Sequence, residues 1–330
     1  MRIELKPLLE ERMKKLLGKE FPDYIKSIET EPPRSIRCNT LKISPEKLKM
    51  RLESQGWKIK QPFKDFPEIM IVEGKLTTLE GEGGELEPLN PGELGRSLEH
   101  VLGYYYVQEL ASMLPVIALA PKPGERVLDL CAAPGSKTTQ MASKMENIGT
   151  IIANEVTLGR VKILASNMER CGVANAMITK KEGASLCRSL GIQGIRFDKI
   201  LIDAPCSGEG TLRTSKMTSK MWNINTVKKL SGVQKNLLIN ALEILKLNGE
   251  IVYSTCTHAP EENEEVVDFI LEKFKDEIKI ETIKLPVKCR EGLCSWEDKK
   301  LDSQVKKSCR IYPQDNDTEG FFIAKFKKIK

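Results

Sequence analysis

The chain has 330 residues, 40% of them hydrophobic and 30% charged, with a formal net charge of +6 and a pI near 8.7. That length favours one large domain plus a smaller one. No apolar run is long enough to cross a bilayer and Met1 to Lys6 holds no signal-peptide core, so a cytoplasmic protein without a membrane partner is expected. Nine cysteines, an odd count without regular spacing, favour reduced thiols over a disulfide framework. The basic balance is compatible with a polyanionic partner without demanding one.

In chain order, Leu9, Met13, Leu16 and Leu17 recur at helical spacing between Leu8 and Lys19 and predict an amphipathic helix ending near Gly18. After Pro32-Pro33, the stretch from Arg34 to Lys42 alternates as a strand does. Ser44-Pro45-Glu46 then opens a helix that stops near Gly56. Trp57 to Ile59 and Ile69 to Val72 are short strands, completing a small basic α+β unit. Arg34, Arg37, Lys42, Lys47, Lys49, Arg51, Lys58 and Lys60 could face phosphates there, or form a solvated face. The Gly-, Glu- and Pro-rich stretch from Glu80 to Arg96 reads as a linker. It sets a boundary between a domain over 1–96 and one over 97–330. Tyr104, Tyr105 and Tyr106 precede a helix rich in Ala and Leu, and core packing is their expected task.

From Gly124 the pattern alternates strand and helix. Strands are predicted over 126–130, 150–153, 176–179, 199–203 and 250–254. The helix before the last of these carries Val227, Leu230, Val233, Leu237, Leu238, Ala241, Leu242 and Leu245 on one side and is closed by Asn248-Gly249. The order implies an α/β doubly wound sheet with helices on both faces, and Phe321 to Phe326 could add an antiparallel final strand.

Chemistry is expected outside the carboxyl ends of these strands, where ligands of open α/β sheets bind. The loop Cys131-Ala132-Ala133-Pro134-Gly135-Ser136-Lys137 joins the first strand to a helix whose N-terminus favours an anionic group. It fits neither the Walker phosphate loop nor the three-glycine dinucleotide fingerprint. Glu155 ends the second strand, where a carboxylate can accept both hydroxyls of a ribose. Two further strands each deliver a cysteine into a loop of small and polar residues, in Asp203-Ala-Pro-Cys206-Ser-Gly208 and in Ser254-Thr-Cys256-Thr257.

Asp129 to Thr138, Asp203 to Gly208, Ser254 to Thr257, and Arg310 to Pro313 with Gly320 to Phe322 resemble in this order the motifs of the Sun-type (NSUN-like) RNA cytosine-5 methyltransferases, and the match includes Arg37 to Lys42 and Gln108 to Ser112. The resemblance implies a Rossmann-like class I methyltransferase sheet behind a smaller α+β N-terminal RNA-binding domain. It implies S-adenosylmethionine as cofactor, held by the loop from Cys131 to Lys137 at its methionine end, by Glu155 at the ribose with Arg160 nearby, and by Glu182 at the adenine. It further implies Cys256 as nucleophile, Cys206 as the thiol that helps release the product, and Asp203 and Lys137 as groups that hydrogen-bond the base. Asp203 is also open to a cofactor contact. Transfer RNA is the expected substrate, ribosomal RNA the alternative, with a monomer and no metal. The chain departs from the family pattern at Ser136, usually a second glycine, at Glu182, usually aspartate, and at Gln314, where histidine is common.

The residues themselves suit that chemistry. Carbon 5 of cytosine is a poor nucleophile until a thiolate adds at carbon 6, and a stacked base could not present that atom, so a flipped or single-stranded target is expected. Three other readings are testable against the fold: a cysteine hydrolase pairing Cys256 with His258, a zinc role for Cys289, Cys294 and Cys309, and a non-catalytic RNA-binding or assembly factor.

Overall fold

The computed structural model describes residues 3–76, 85–90 and 92–330. It begins with α1 (Pro7–Leu17) and α2 (Phe21–Ile28). The first matches the predicted amphipathic helix, burying Leu9, Met13 and Leu17; the second is not among the predicted elements. An antiparallel unit follows, made of β1 (Arg34–Cys38), α3 (Pro45–Glu53), β2 (Trp57–Lys60), β3 (Ile69–Leu76), β4 (Leu86–Glu87), α4 (Glu93–Arg96), α5 (Leu98–Val101) and β5 (Tyr105–Val107). Ser44 caps α3, its hydroxyl accepting from the Lys47 amide at 3.3 Å. β1 stops at Cys38, short of Lys42, because the amides of Lys42 and Ile43 both turn back onto the Asn39 carbonyl.

The small sheet runs β2-β3-β1-β5, with β4 on β3. It therefore draws a strand from beyond Arg96. Conversely, Leu9, Met13 and Tyr24 of the first two helices bury against Leu212, Trp222 and Tyr312 of the larger unit. Part of the stretch from Glu80 to Arg96 that reads as a linker lies outside the described residues. Tyr105 is fully buried in the core of the small sheet, the packing role its sequence suggests.

The larger unit contains α6 (Leu110–Leu119), β6 (Arg126–Asp129), α7 (Ser136–Lys144), β7 (Thr150–Asn154), α8 (Leu158–Cys171), β8 (Ala176–Thr179), α9 (Gly183–Ile192) and β9 (Phe197–Asp203). It continues through α10 (Lys216–Met221), α11 (Ile224–Glu243), β10 (Leu245–Thr255), α12 (Glu264–Lys273), β11 (Ile278–Glu281) and β12 (Arg290–Glu291). A hairpin of β13 (Ser295–Trp296) and β14 (Lys299–Lys300), then β15 (Cys309–Ile311), α13 (Pro313–Asn316) and β16 (Phe321–Lys328), complete it. The strand order is β12-β15-β16-β10-β9-β6-β7-β8, with β11 on β16. From β10 to β8 neighbours are parallel, and β16 is antiparallel to β10.

Period-two alternation distributes the strand side chains onto two apolar layers. Leu128, Ile200, Ile202, Ile251 and Tyr253 join Leu186, Leu238 and Val267 from α9, α11 and α12. Their neighbours Val127, Leu201 and Val252 face Leu114 of α6 and Met141 of α7. Burial on both faces explains why these strands read as continuous apolar runs. The sheet reverses its direction of growth between β6 and β9, which is where an α/β sheet opens a crevice for a ligand.

One expectation is corrected. Cys289 and Cys309 form a disulfide, so not all nine cysteines are reduced thiols; the other seven are free. Pairing of β12 with β15 brings the two Cα atoms to 5.2 Å across 20 residues of sequence, a proximity that spacing alone does not reveal.

Candidate active site

A cavity of about 580 Å³ opens at the switch point, and two groups of residues share it. The first surrounds the loop after β6. Its course is fixed by backbone hydrogen bonds from Leu130 to the Leu201 carbonyl at 3.0 Å and from Ala132 to the Asn154 carbonyl at 2.8 Å. Gly135 turns the chain at φ 106°, and a Cβ there would meet Leu164 at 3.0 Å, so glycine fits the bend into α7. Cys131, Ala132, Ala133, Pro134, Ser136 and Lys137 line the cavity; Gly135 supports it from within the turn.

Glu155 follows β7 and is almost fully buried. One carboxylate oxygen accepts from the Thr157 amide at 2.9 Å, and the other pairs with Arg160 at 3.1 Å. Each oxygen keeps lone-pair capacity for a further donor. Arg160 also donates to the Ala133 carbonyl at 2.6 Å, so it ties the acidic residue to the loop. Glu182 lines the same cavity while both its oxygens cap α9, accepting from Ala184 at 3.0 Å and Ser185 at 2.7 Å. This set fits a nucleoside carrying a charged amino-acid tail: a carboxylate with spare acceptors for two hydroxyls, small residues for close approach, and the positive end of α7 for an anion.

The second group holds the thiols. Cys206 and Cys256 follow β9 and β10, which are parallel neighbours with Asp203 opposite Ser254, so both cysteines emerge at one sheet edge. Their sulfurs are 3.2 Å apart. The hydrogen bond to Cys256 and burial push the Cys206 thiol well above its ordinary range. Beside them Lys137 pairs with Asp203 at 2.7 Å and donates to the Ser112 hydroxyl at 2.9 Å. The other oxygen of Asp203 accepts from the Ser254 hydroxyl at 2.7 Å. Lys137, from the helix after β6, thus meets the carboxylate that ends β9 across the crevice.

Every residue expected at the site from its sequence therefore lines this cavity except Gly135. Ser112, Glu109 and Phe321 are additions to the lining, and Ser254 reaches the site through its hydrogen bond to Asp203. Ser254 was within reach of sequence reasoning, since it lies at the end of the strand that delivers Cys256, two residues before it. Glu109 accepts from the amides of Ser112 at 3.1 Å and Glu319 at 3.1 Å, and burial raises its carboxyl to about 7. Phe321 lies under the Lys137 ammonium, 5.4 Å from ring centroid to nitrogen. Gly210 and Gly320 let the loops close over the thiols: a Cβ on Gly210 would meet the Gly320 carbonyl at 2.3 Å and that of Cys256 at 2.9 Å.

Two rival readings lose their geometry. His258 is buried away from the cavity lining, stacked on Tyr312 at 4.9 Å, and burial lowers its imidazole to about 3, so it is no base for Cys256. Cys289 and Cys309 are consumed by each other, and no group of three or more His, Cys, Asp or Glu suited to a metal ion occurs among the described residues. Gln314 sits in α13 with its amide atoms unpartnered, outside the cavity lining. Among the described residues no helix is long and apolar enough to cross a membrane.

Residues 116–327 match the family described as 16S rRNA methyltransferase RsmB/F, and residues 5–63 the N-terminal domain of 16S rRNA methyltransferase RsmF. A tRNA (cytosine(49)-C(5))-methyltransferase of Pyrococcus abyssi is 43% identical over 89% of this chain and 88% of its own length. The ribosomal RNA small subunit methyltransferase F of Psychromonas ingrahamii is 39% identical over 94% of this chain, which spans 60% of that relative. Among solved structures, a methyltransferase homologue from Pyrococcus horikoshii superposes with a TM-score of 0.82 at 33% identity, covering 99% of this chain and 96% of the other. NSun6 from Pyrococcus horikoshii with SFG gives a TM-score of 0.80 at 26% identity, covering 100% of both chains.

Proposed function

The chain belongs to the RsmB/F family of S-adenosylmethionine-dependent RNA cytosine-5 methyltransferases, and given that membership we propose that its substrate is transfer RNA and that Cys256 is the nucleophile. The observation that carries the catalytic assignment is the convergence of two thiols at 3.2 Å beside a Lys137–Asp203 pair at 2.7 Å. Support for transfer RNA is the higher identity to the Pyrococcus abyssi enzyme and the extent of that match, 88% of its length.

In this reading the Cys256 thiolate bonds to carbon 6 of a cytosine turned out of its stack. The electron pair of the carbon 5–carbon 6 bond moves into the ring, where Asp203 and Lys137 hydrogen-bond the base and stabilise the developing charge. S-adenosylmethionine, when bound by Glu155 and the loop from Cys131 to Lys137, supplies an electrophilic methyl group at carbon 5. Cys206, passing its own proton to solvent, then takes the proton from carbon 5; that carbon–hydrogen pair re-forms the carbon 5–carbon 6 double bond as the sulfur–carbon 6 bond breaks and its pair returns to Cys256. Ser112 and Ser254 hold Lys137 and Asp203 in place.

The test uses labelled cofactor with transfer RNA and 16S rRNA transcripts, followed by denaturing gels. Cys256→Ala should abolish incorporation and leave no protein–RNA adduct, whereas Cys206→Ala should accumulate an adduct that survives denaturation. Adduct with the Cys256 variant instead would reverse the two roles. Label in ribosomal but not transfer RNA would move the substrate to the other branch of the family.

A further inference from the structure

Two consecutive residues outside the cavity touch both thiol-bearing loops. Glu262 and Asn263 lie just before α12 and are fully buried. The Glu262 carboxylate accepts from the amide of Ser207, the residue after Cys206, at 3.0 Å. It also accepts from the side chain of Gln234 at 2.9 Å, which in turn donates to the carbonyl of Pro205, the residue before Cys206, at 2.9 Å. Asn263 treats the other loop in the same way. Its carbonyl oxygen accepts from the Thr255 hydroxyl at 2.6 Å, and its amide donates to the Thr257 carbonyl at 2.9 Å. The residues on either side of Cys256 are thereby fixed. A hydroxyl bridge between Ser207 and Thr257 at 2.8 Å joins the loops directly.

We propose that Glu262 and Asn263 are positioning residues that clamp the two thiol-bearing loops against each other, and so set how the reaction divides between adduct formation at Cys256 and product release at Cys206. The inference rests on the roles assigned above to the two cysteines. Burying a carboxylate whose partners are amides rather than a cation is unfavourable, and burial holds the Glu262 carboxyl at about 7. Packing alone would be served better by an apolar side chain. What a carboxylate adds is two oxygens that receive a backbone amide and a side-chain amide at once. The adjacent carboxamide adds a donor and an acceptor on one rigid plane, spanning residues that an apolar side chain could not orient.

A purely structural role would weaken every step together, whereas a clamp predicts opposite failures from neighbouring residues. Glu262→Gln keeps the shape but removes one acceptor from the Cys206 side. Release should slow about tenfold, the effect of one impaired buried hydrogen bond, and adduct on denaturing gels should rise toward the level of Cys206→Ala. Asn263→Asp, or Thr255→Val should the former not fold, loosens the Cys256 side. Single-turnover methyl transfer should then fall about tenfold with less adduct than wild type.

Melting temperature and cofactor dissociation constant, measured on each purified full-length variant, confine the comparison to folded, cofactor-competent protein. Equal adduct lifetimes in Glu262→Gln and wild type, or a parallel fall of formation and release in both variants, would overturn the clamp. Absence of adduct in Cys206→Ala would instead overturn the thiol roles on which it rests.

Discussion

Replacing Asp203 by asparagine separates the charge of the site from its shape. The carboxylate lies 2.7 Å from the Lys137 ammonium, a separation at which the Coulomb attraction is about 6 kcal/mol at an effective dielectric near 20, before desolvation is subtracted. Lys137 is 8% exposed at its side chain and Asp203 28%, so the pair is only partly shielded from water. The stability cost should therefore be about 1–2 kcal/mol, below the ~3–5 of a pair broken in a dry interior. The kinetic cost should be larger. If Asp203 stabilises charge as the thiol adds to the ring, its loss should slow single-turnover methyl transfer by about 10²- to 10³-fold, as for other preorganised groups at a developing charge. Ser254→Ala removes only the 2.7 Å hydrogen bond to the same carboxylate and should cost about tenfold. Rapid-quench assays with labelled cofactor, read beside thermal melts, separate the two effects. An Asp203→Asn enzyme that reacts within about threefold of wild type, while Cys256→Ala is inactive, would refute a role for this carboxylate in the chemical step.

Glu155→Ala should weaken cofactor binding at least about tenfold by calorimetry, since it removes acceptors from a buried position, and should leave RNA affinity unchanged. Arg310 meets Glu264 through both carboxylate oxygens in the interior, and Arg310→Met, which strands the carboxylate, should cost about 3–5 kcal/mol in denaturant unfolding. His258 has a folded-state value lowered to about 3 against 6.5, chiefly by burial. Between those values the unfolded chain binds a proton that the folded chain does not, so this contribution to stability is complete above 6.5 and is lost as pH falls. His258→Phe, measured by melting temperature against pH, should flatten that acid limb. Ser44→Ala removes the cap of α3 and should lower stability by about 1 kcal/mol with little change in turnover at low temperature.

Local residue patterns specified the alternating strands and helices after Gly124 and the strand ends at which the candidate site residues gather. Capping at Ser44, the stop at Gly18, and the alternation of apolar runs with small-residue loops are settled by residues a few positions apart, so local physics suffices to read them. The same locality put Cys131, Cys206 and Cys256 at strand ends. Which of those ends adjoin became visible only in the folded chain. That β9 lies between β6 and β10, that Lys137 crosses to Asp203, and that Leu9 and Tyr24 seal a unit far along the sequence are outcomes of burial summed over the whole chain. No short window contains that sum. The disulfide from Cys289 to Cys309, the retreat of His258 into an aromatic stack, and the grip of Glu262 and Asn263 on both thiol loops follow from it for the same reason: hydrogen bonds and contacts act over ångströms in space, whatever the number of residues between their partners.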